Sequence, residues 1–349
     1  MNHRKLLLIF VGCICFSFTI AQNKTYIIPS KSSGNKNVSL NLNGTWQFKY
    51  SPESKWVPIQ VPGEAAMQGF AIEHDKPFWY KKEFNLPPDY QNKNVILRFD
   101  GVYSHAKLYV NNKYVREHHG GFTRWETDIT PYVKPGKKNE IRLEVTDRLD
   151  EISYASGYAH HPIGGILRDV TVFALAKTHI YDFYAETILD SLYTDAVLKL
   201  GYSADIDKKS EIEYSLIDPS GKAVSKNTFP LNPTAGSINE IPVKNPLKWD
   251  AEHPVLYKLI VSVKQNGAEV SQFEQSIGFR DIKVNGNKLL VNGYPVKLRG
   301  ACRHDIHPTL GRTTTAELDS LDVILFKKSN MNFVRTSHYP PSEKFIEYC

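Results

Sequence analysis

The sequence predicts a multidomain, mainly β chain: a jelly-roll β-sandwich, an immunoglobulin-like β-sandwich, then the first βα units of a truncated TIM barrel. Three observations predict it. From Val38 to about Lys177, short strands alternate apolar with polar residues between Gly, Pro and Asn punctuation, the grammar of an antiparallel double sheet. From Thr178 to Arg280, a second rhythm gives about seven strands in about a hundred residues, the size of an immunoglobulin-like sandwich. From Asp281, the order becomes strand, helix, strand, helix, the repeat of a parallel barrel.

The 349 residues suffice for two or three domains. Aromatics at 12% and charges at 23% make a globular composition rather than a disordered one. The net charge of +6 is scattered. Nucleic-acid binding needs a clustered basic stripe, so no nucleic-acid partner is expected.

His3, Arg4 and Lys5 precede an uncharged apolar run from Leu6 to Ile20, and Ala21 offers a small residue before a cut at Gln22. This is a signal peptide over 1–21, too short for a membrane span, and it predicts a secreted or periplasmic protein. A lipoprotein cut before Cys13 ranks second, because it leaves an apolar run at the new N-terminus. Cys13 and Cys15 leave with the signal; Cys302 and Cys349 make no disulfide framework and are expected as buried thiols. Asn23, Asn37 and Asn43 open glycosylation sequons, relevant only in a eukaryotic secretory pathway.

Residues 22–37 are polar and read as a linker. The jelly roll is placed at 38–177. Thr45–Tyr50 and Phe78–Phe84 alternate aromatic and polar residues, Val95–Asp100 is a further strand, and Asn111-Asn112 joins Lys107–Val110 to Lys113–Val115 in a tight hairpin. Glu140–Thr146 alternates strictly, and Val170–Ala174 closes the set. Trp46 and Trp79 are read as core fillers rather than sugar-stacking platforms.

The second sandwich is placed at 178–280. Thr178–Thr187, Ala196–Leu200, Ile212–Ile217, Leu256–Val263 and Gln272–Gly278 are its strands, and Asp218-Pro219-Ser220-Gly221 is a turn. No Cys pair spans it, which excludes the antibody type. It shows no chemistry and reads as a spacer.

Residues 281–349 begin the barrel. Asn292-Gly293 marks a hairpin, and Val296–Ala301 is a strand ending in Cys302-Arg303-His304-Asp305. Thr314 and Glu317 form a capping box before Leu318, Leu321, Ile324 and Leu325 at helical spacing, with Asn330 as the stop. Glu317, Asp319 and Asp322 read as a cap and a solvated face of that helix. A second helix starts at Pro341, Ser342 and Glu343, with Phe345 and Ile346 inward. A barrel needs about 250 residues, so a chain supplying two strands reads as truncated.

Between the helices, Asn332-Phe333-Val334 passes abruptly into Arg335-Thr336-Ser337-His338-Tyr339-Pro340. An apolar run ending in hydrogen-bonding groups reads as a parallel strand that delivers side chains to a site at its carboxyl end. His304 and His338 then end adjacent strands on one face. Asp305, paired with Arg303 or His304, would orient a neighbour, and Tyr339 and Pro340 shape the turn.

These segments resemble glycoside hydrolase family 2, the β-galactosidases and β-glucuronidases. The resemblance runs from about Leu40 through Leu42–Trp46, Phe78–Tyr80, Phe99–Val102, Gly164–Val170, Leu247–Trp249, Gly278–Arg280 and Arg299–Asp305 to Asn332–Pro340. It implies retaining hydrolysis of a β-glycoside. That chemistry uses two carboxylates about 5–5.5 Å apart, a nucleophile and an acid/base. In the family both are Glu on later strands, beyond Cys349, so this chain supplies no catalytic residue and should be inactive alone. By resemblance His304 contacts the sugar, Arg335 holds the nucleophile with its guanidinium fork, and His338 hydrogen-bonds the sugar or the developing charge. Ser337–Pro340 favours the galactosidase and glucuronidase side over the mannosidases.

Family members usually carry an Asp several residues before the Gly-Ile-x-Arg motif, where this chain has Ala159. His160 or His161 is a candidate replacement, or a loop residue. Two adjacent His without a third ligand make no metal site, and no cofactor is expected. The partner implied is a β-linked oligosaccharide or glycoside, and the homo-oligomeric state stays open. Two other readings stand beside the hydrolase: a non-catalytic carbohydrate-binding sandwich protein, and a structural or adhesion protein. A spacer has no use for converging His and Arg, which argues against the last.

Overall fold

The computed structural model describes residues 24–148, 162–232 and 237–349. The segment expected as a signal peptide, with Ala159, His160 and His161, lies outside the described residues.

The first sandwich packs a six-stranded antiparallel sheet against a four-stranded one. The larger sheet runs, edge to edge, Lys113–His119, His105–Val110, Lys138–Thr146, Pro77–Asn85, Gly44–Lys49 and Val57–Val61. The smaller runs Trp125–Asp128, Asn94–Phe99, Val170–Leu175 and Ser39–Asn41. Period-two alternation dictates the core: Ile141, Leu143 and Val145 are wholly buried, while the residues between them stay partly exposed. Trp46 fills the core as expected, its ring edge-on to Tyr80 at 6.4 Å and its Nε1 donating to the Leu42 carbonyl at 2.7 Å. Trp79 does not. It lies on the outer face of its strand, half-buried, its Nε1 donating to Glu144 at 3.3 Å. The aromatic run Phe78-Trp79-Tyr80 hides that change of face. Asn111 and Asn112 have φ of 49° and 63°, as the predicted hairpin turn requires.

The second sandwich has a five-stranded sheet (Lys31–Ser32, Ala268–Ile277, Tyr257–Gln265, Glu211–Ile217, Ala223–Pro230) and a three-stranded one (His179–Leu189, Ala196–Asp205, Ser237–Val243). Its first strand comes from the segment expected as a linker. Ser30 and Ser33 donate backbone hydrogen bonds to Gln272 and Val270 at 2.7 and 2.9 Å. Tyr26 and Ile28 pack on Ile96, Phe173 and Leu175 of the first sandwich, while Ile27 packs on the core of the second. Three alternating apolar residues are enough to tie the segment to both domains.

Beyond the hairpin sheet Ile282–Asn285, Lys288–Val291 and Tyr294–Pro295, the Gly300–Arg303 and Phe333–Thr336 strands pair in parallel. The Ala316–Lys328 helix connects them, and Glu343–Tyr348 follows. No closed barrel forms among the described residues. Several expectations fail here. The helix cap is Thr315, not Thr314: its side chain accepts from the Leu318 N–H at 3.3 Å. Leu321, Ile324 and Leu325 are 46–50% exposed, because two strands offer too little surface to cover them. Instead Asp319 is buried, paired with Arg303. In the last helix Phe345 is buried, but Ile346 points to solvent. Cys302 and Cys349 are both exposed rather than buried. Asn330, in the left-handed region at φ 54°, ends the longer helix as predicted. No helix among the described residues is long and apolar enough to cross a membrane.

Candidate active site

Parallel pairing places Cys302 opposite Arg335 and Arg303 opposite Thr336. The residues that follow, His304 and Ser337-His338, therefore emerge side by side. The rings of His304 and His338 lie 5.6 Å apart at 74°. Arg335 is exposed beside them. Its Nη2 donates to His338 Nδ1 at 3.2 Å, and its Nη1 to Ser337 Oγ at 3.0 Å. A guanidinium has no acceptor, so His338 Nδ1 must accept, which puts the ring proton on Nε2. Burial, with the charge of Arg312 beside it, holds the His304 pKa below the ordinary imidazole range. These surroundings favour the neutral ring of His304. Hydrogen bonds with Ser337 and Arg335 hold the Cys302 thiol pKa below its usual value.

Arg303 and Asp305 stand behind this surface. Arg303 Nε donates to Asp322 at 2.7 Å, Nη2 to Asp319 at 2.6 Å, and Nη1 to Asp305. Its guanidinium lies 4.1 Å from the Phe345 ring centre. Both Arg303 and Asp305 are buried, and they bear on the site through the neighbours they hold. Asp305, Asp319 and Asp322 are all committed to arginine, which leaves none placed as a nucleophile.

The sequence reading missed a set of residues that joins this surface to the first sandwich. Phe122 stacks on Tyr339 at 3.9 Å and 13°. The Tyr339 hydroxyl accepts from the Asp305 N–H at 2.9 Å and from Arg312 Nη1 at 2.8 Å. Tyr339 is therefore a hub as well as a turn residue. Glu64, buried in the first sandwich, accepts from the Arg312 N–H at 2.6 Å. A side chain at Gly311, where φ is +64°, would collide with the Glu64 carboxylate. Arg168, quoted within the Gly-Ile-x-Arg motif but given no role, reaches Asp305 at 3.0 Å. Only the motif hinted at it, since contacts over such sequence separations leave no local pattern.

Among the described residues, no group of three or more His, Cys, Asp or Glu is arranged to hold a metal ion. What the surface offers is an imidazole whose neutral form is favoured, a second imidazole that accepts at Nδ1 and an exposed guanidinium, all at strand ends. That set suits a polyhydroxylated ligand and a carboxylate beside it.

Comparison with known proteins places the domains in a family. Residues 58–176 match "Glycosyl hydrolases family 2, sugar binding domain", residues 178–280 match "Glycosyl hydrolases family 2", and residues 282–349 match "Glycosyl hydrolases family 2, TIM barrel domain". A β-galactosidase of Thermoanaerobacter pseudethanolicus is 31% identical over 323 residues, covering 88% of this chain and 43% of that protein. A β-galactosidase of Priestia megaterium is 29% identical, covering 88% and 34%. The structure of a β-glucuronidase from Ruminococcus gnavus in complex with D-glucuronic acid superposes with a TM-score of 0.80 at 25% identity, covering 94% of this chain and 60% of that one. The chain thus spans less than half the length of these two curated relatives.

Proposed function

We propose, from the premise that this chain belongs to glycosyl hydrolase family 2, that its protein is an exported, retaining β-glycosidase of the β-galactosidase kind, acting in carbohydrate catabolism. The observation that carries the reading is the convergence of His304, Arg335 and His338 at the ends of two parallel strands. Retaining hydrolysis proceeds through a covalent glycosyl intermediate: one carboxylate attacks the anomeric carbon while a second protonates the leaving oxygen. Both carboxylates are to be sought on later barrel strands of the same protein. In this chain, Arg335 offers two donors to hold the nucleophile ionised and oriented. His304, whose surroundings favour the neutral ring, can in that form both donate to and accept from a sugar hydroxyl. His338 presents its Nε2 proton to the ring substituents or to charge developing at the glycosidic oxygen. Support for export comes from the sequence of residues 1–21. Support for a galactoside comes from the relatives' names; the glucuronidase likeness makes a glucuronide the competing substrate.

The test is a panel of nitrophenyl β-glycosides offered to the complete gene product. The reading predicts fastest hydrolysis of the β-galactoside and none of the α-anomer. Failure to cleave any β-glycoside overturns it.

A further inference from the structure

Arg168 belongs to the first sandwich, between the Gly165–Ile166 and Val170–Leu175 strands, yet its guanidinium ends at the barrel. Its stem packs against Gly101, where an added Cβ would meet Arg168 Cδ at 3.2 Å. Nη1 is anchored at home by the Phe122 carbonyl at 2.8 Å. Nη2 crosses to the barrel and donates twice, to Asp305 Oδ2 at 3.0 Å and to the Pro340 carbonyl at 2.6 Å. Asp305 directly follows His304, and Pro340 lies two residues past His338. One planar group therefore holds the ends of both site strands. The electrostatics also need it: the buried Arg303 faces three carboxylates, Asp305, Asp319 and Asp322, so a second cation on Asp305 offsets part of the surplus negative charge.

We propose that Arg168 is a positioning residue of the barrel site, acting through Asp305 and the Pro340 carbonyl to fix the relative placement of His304 and His338. The sandwich thereby sets the geometry of the site without touching the ligand. In its kinetic part this rests on the β-glycosidase reading; in its structural part it does not.

The experiment uses the complete gene product with 13Cε1-labelled histidine, the His304 and His338 signals being assigned by their loss in His304→Gln and His338→Gln. Arg168→Met, folded by circular dichroism, should shift both signals and change their titration. It should lower kcat on the nitrophenyl glycoside at least tenfold with KM changed less than threefold. Arg168→Lys, which keeps the charge but loses the fork, should fall between. Arg124→Ala removes the other ion pair to the barrel, the exposed one with Glu343, and should move neither signal nor kcat. If Arg168→Met does not fold, Arg168→Lys alone decides, by whether both histidine signals move. Signals and kcat unmoved in a folded variant overturn the proposal and leave the glycosidase reading intact. Histidine signals that respond, in a protein that hydrolyses no β-glycoside, overturn the glycosidase reading and leave the positioning role intact.

Discussion

Arg303 Nη2 donates to Asp319 Oδ1 at 2.6 Å, and the two side chains are only 5% and 2% exposed. This pair bolts the first barrel strand to the helix that follows it. Burial opposes the charge of Arg303, but Asp322, Asp305 and Asp319 outweigh it and raise its pKa. A fork with donors on three sides can serve three carboxylates at once, which an ammonium cannot do with the same geometry.

Removing that fork should be severe. Arg303→Met leaves the buried Asp319 without its arginine and Asp305 with Arg168 alone, and breaking a buried pair in this way costs about 3–5 kcal/mol. Urea denaturation should show that loss, and Arg303→Lys should recover only part of it. A cost below about 1 kcal/mol contradicts the bolt.

The two tryptophans separate core from surface. Trp46→Ala should cost about 3–5 kcal/mol, since it empties the centre of the first sandwich. Trp79→Ala, on the outer face, should cost about 0.5–1.5 kcal/mol. Equal losses in thermal or chemical denaturation would place both in one core and contradict the observed strand face.

Arg335→Ala removes an exposed side chain from the strand end. Turnover of the complete gene product should fall on the order of 100-fold or more, as when a preorganised donor is lost. The melting midpoint should move little, because an exposed arginine contributes little to stability. Near-normal turnover removes Arg335 from the mechanism.

His118 supplies a pH signature. Its ring stacks on Trp125 at 5.0 Å, and burial, aided by Arg116, pushes its pKa down to about 4. An imidazole whose folded pKa is depressed contributes stability present above the unfolded pKa near 6.5 and lost as pH falls. Between about pH 6.5 and pH 4 the chain should therefore lose about 1–2 kcal/mol through this residue, after allowing for its partial exposure. The difference in stability between the unaltered chain and His118→Gln, followed across that window, should vary with pH by this amount. A flat difference contradicts it.

The sandwiches were legible because alternation, hairpin asparagines and strand spacing are local signals, and local signals decide sheet faces. The parallel pair and the meeting of His304 with His338 were legible for the same reason: each strand ends in an abrupt change of chemistry. What escaped was everything set by distant partners. Asp319 looked solvated because it is a carboxylate set beside, not on, the leucine stripe of its helix, yet Arg303 draws it inward. Tyr26-Ile27-Ile28 disappeared inside a polar stretch. Glu64 and Arg312 carry no pattern of their own, and Arg168 only its place in a motif; all three acquire meaning where the first sandwich meets the barrel.

Retaining β-glycoside hydrolysis is tested most directly by the anomeric proton of the first sugar released. With the complete gene product and a nitrophenyl β-galactoside, proton NMR in the first minutes should show the β-anomer, the α-anomer appearing later by mutarotation. An α-anomer formed first, or no sugar at all, would contradict the account.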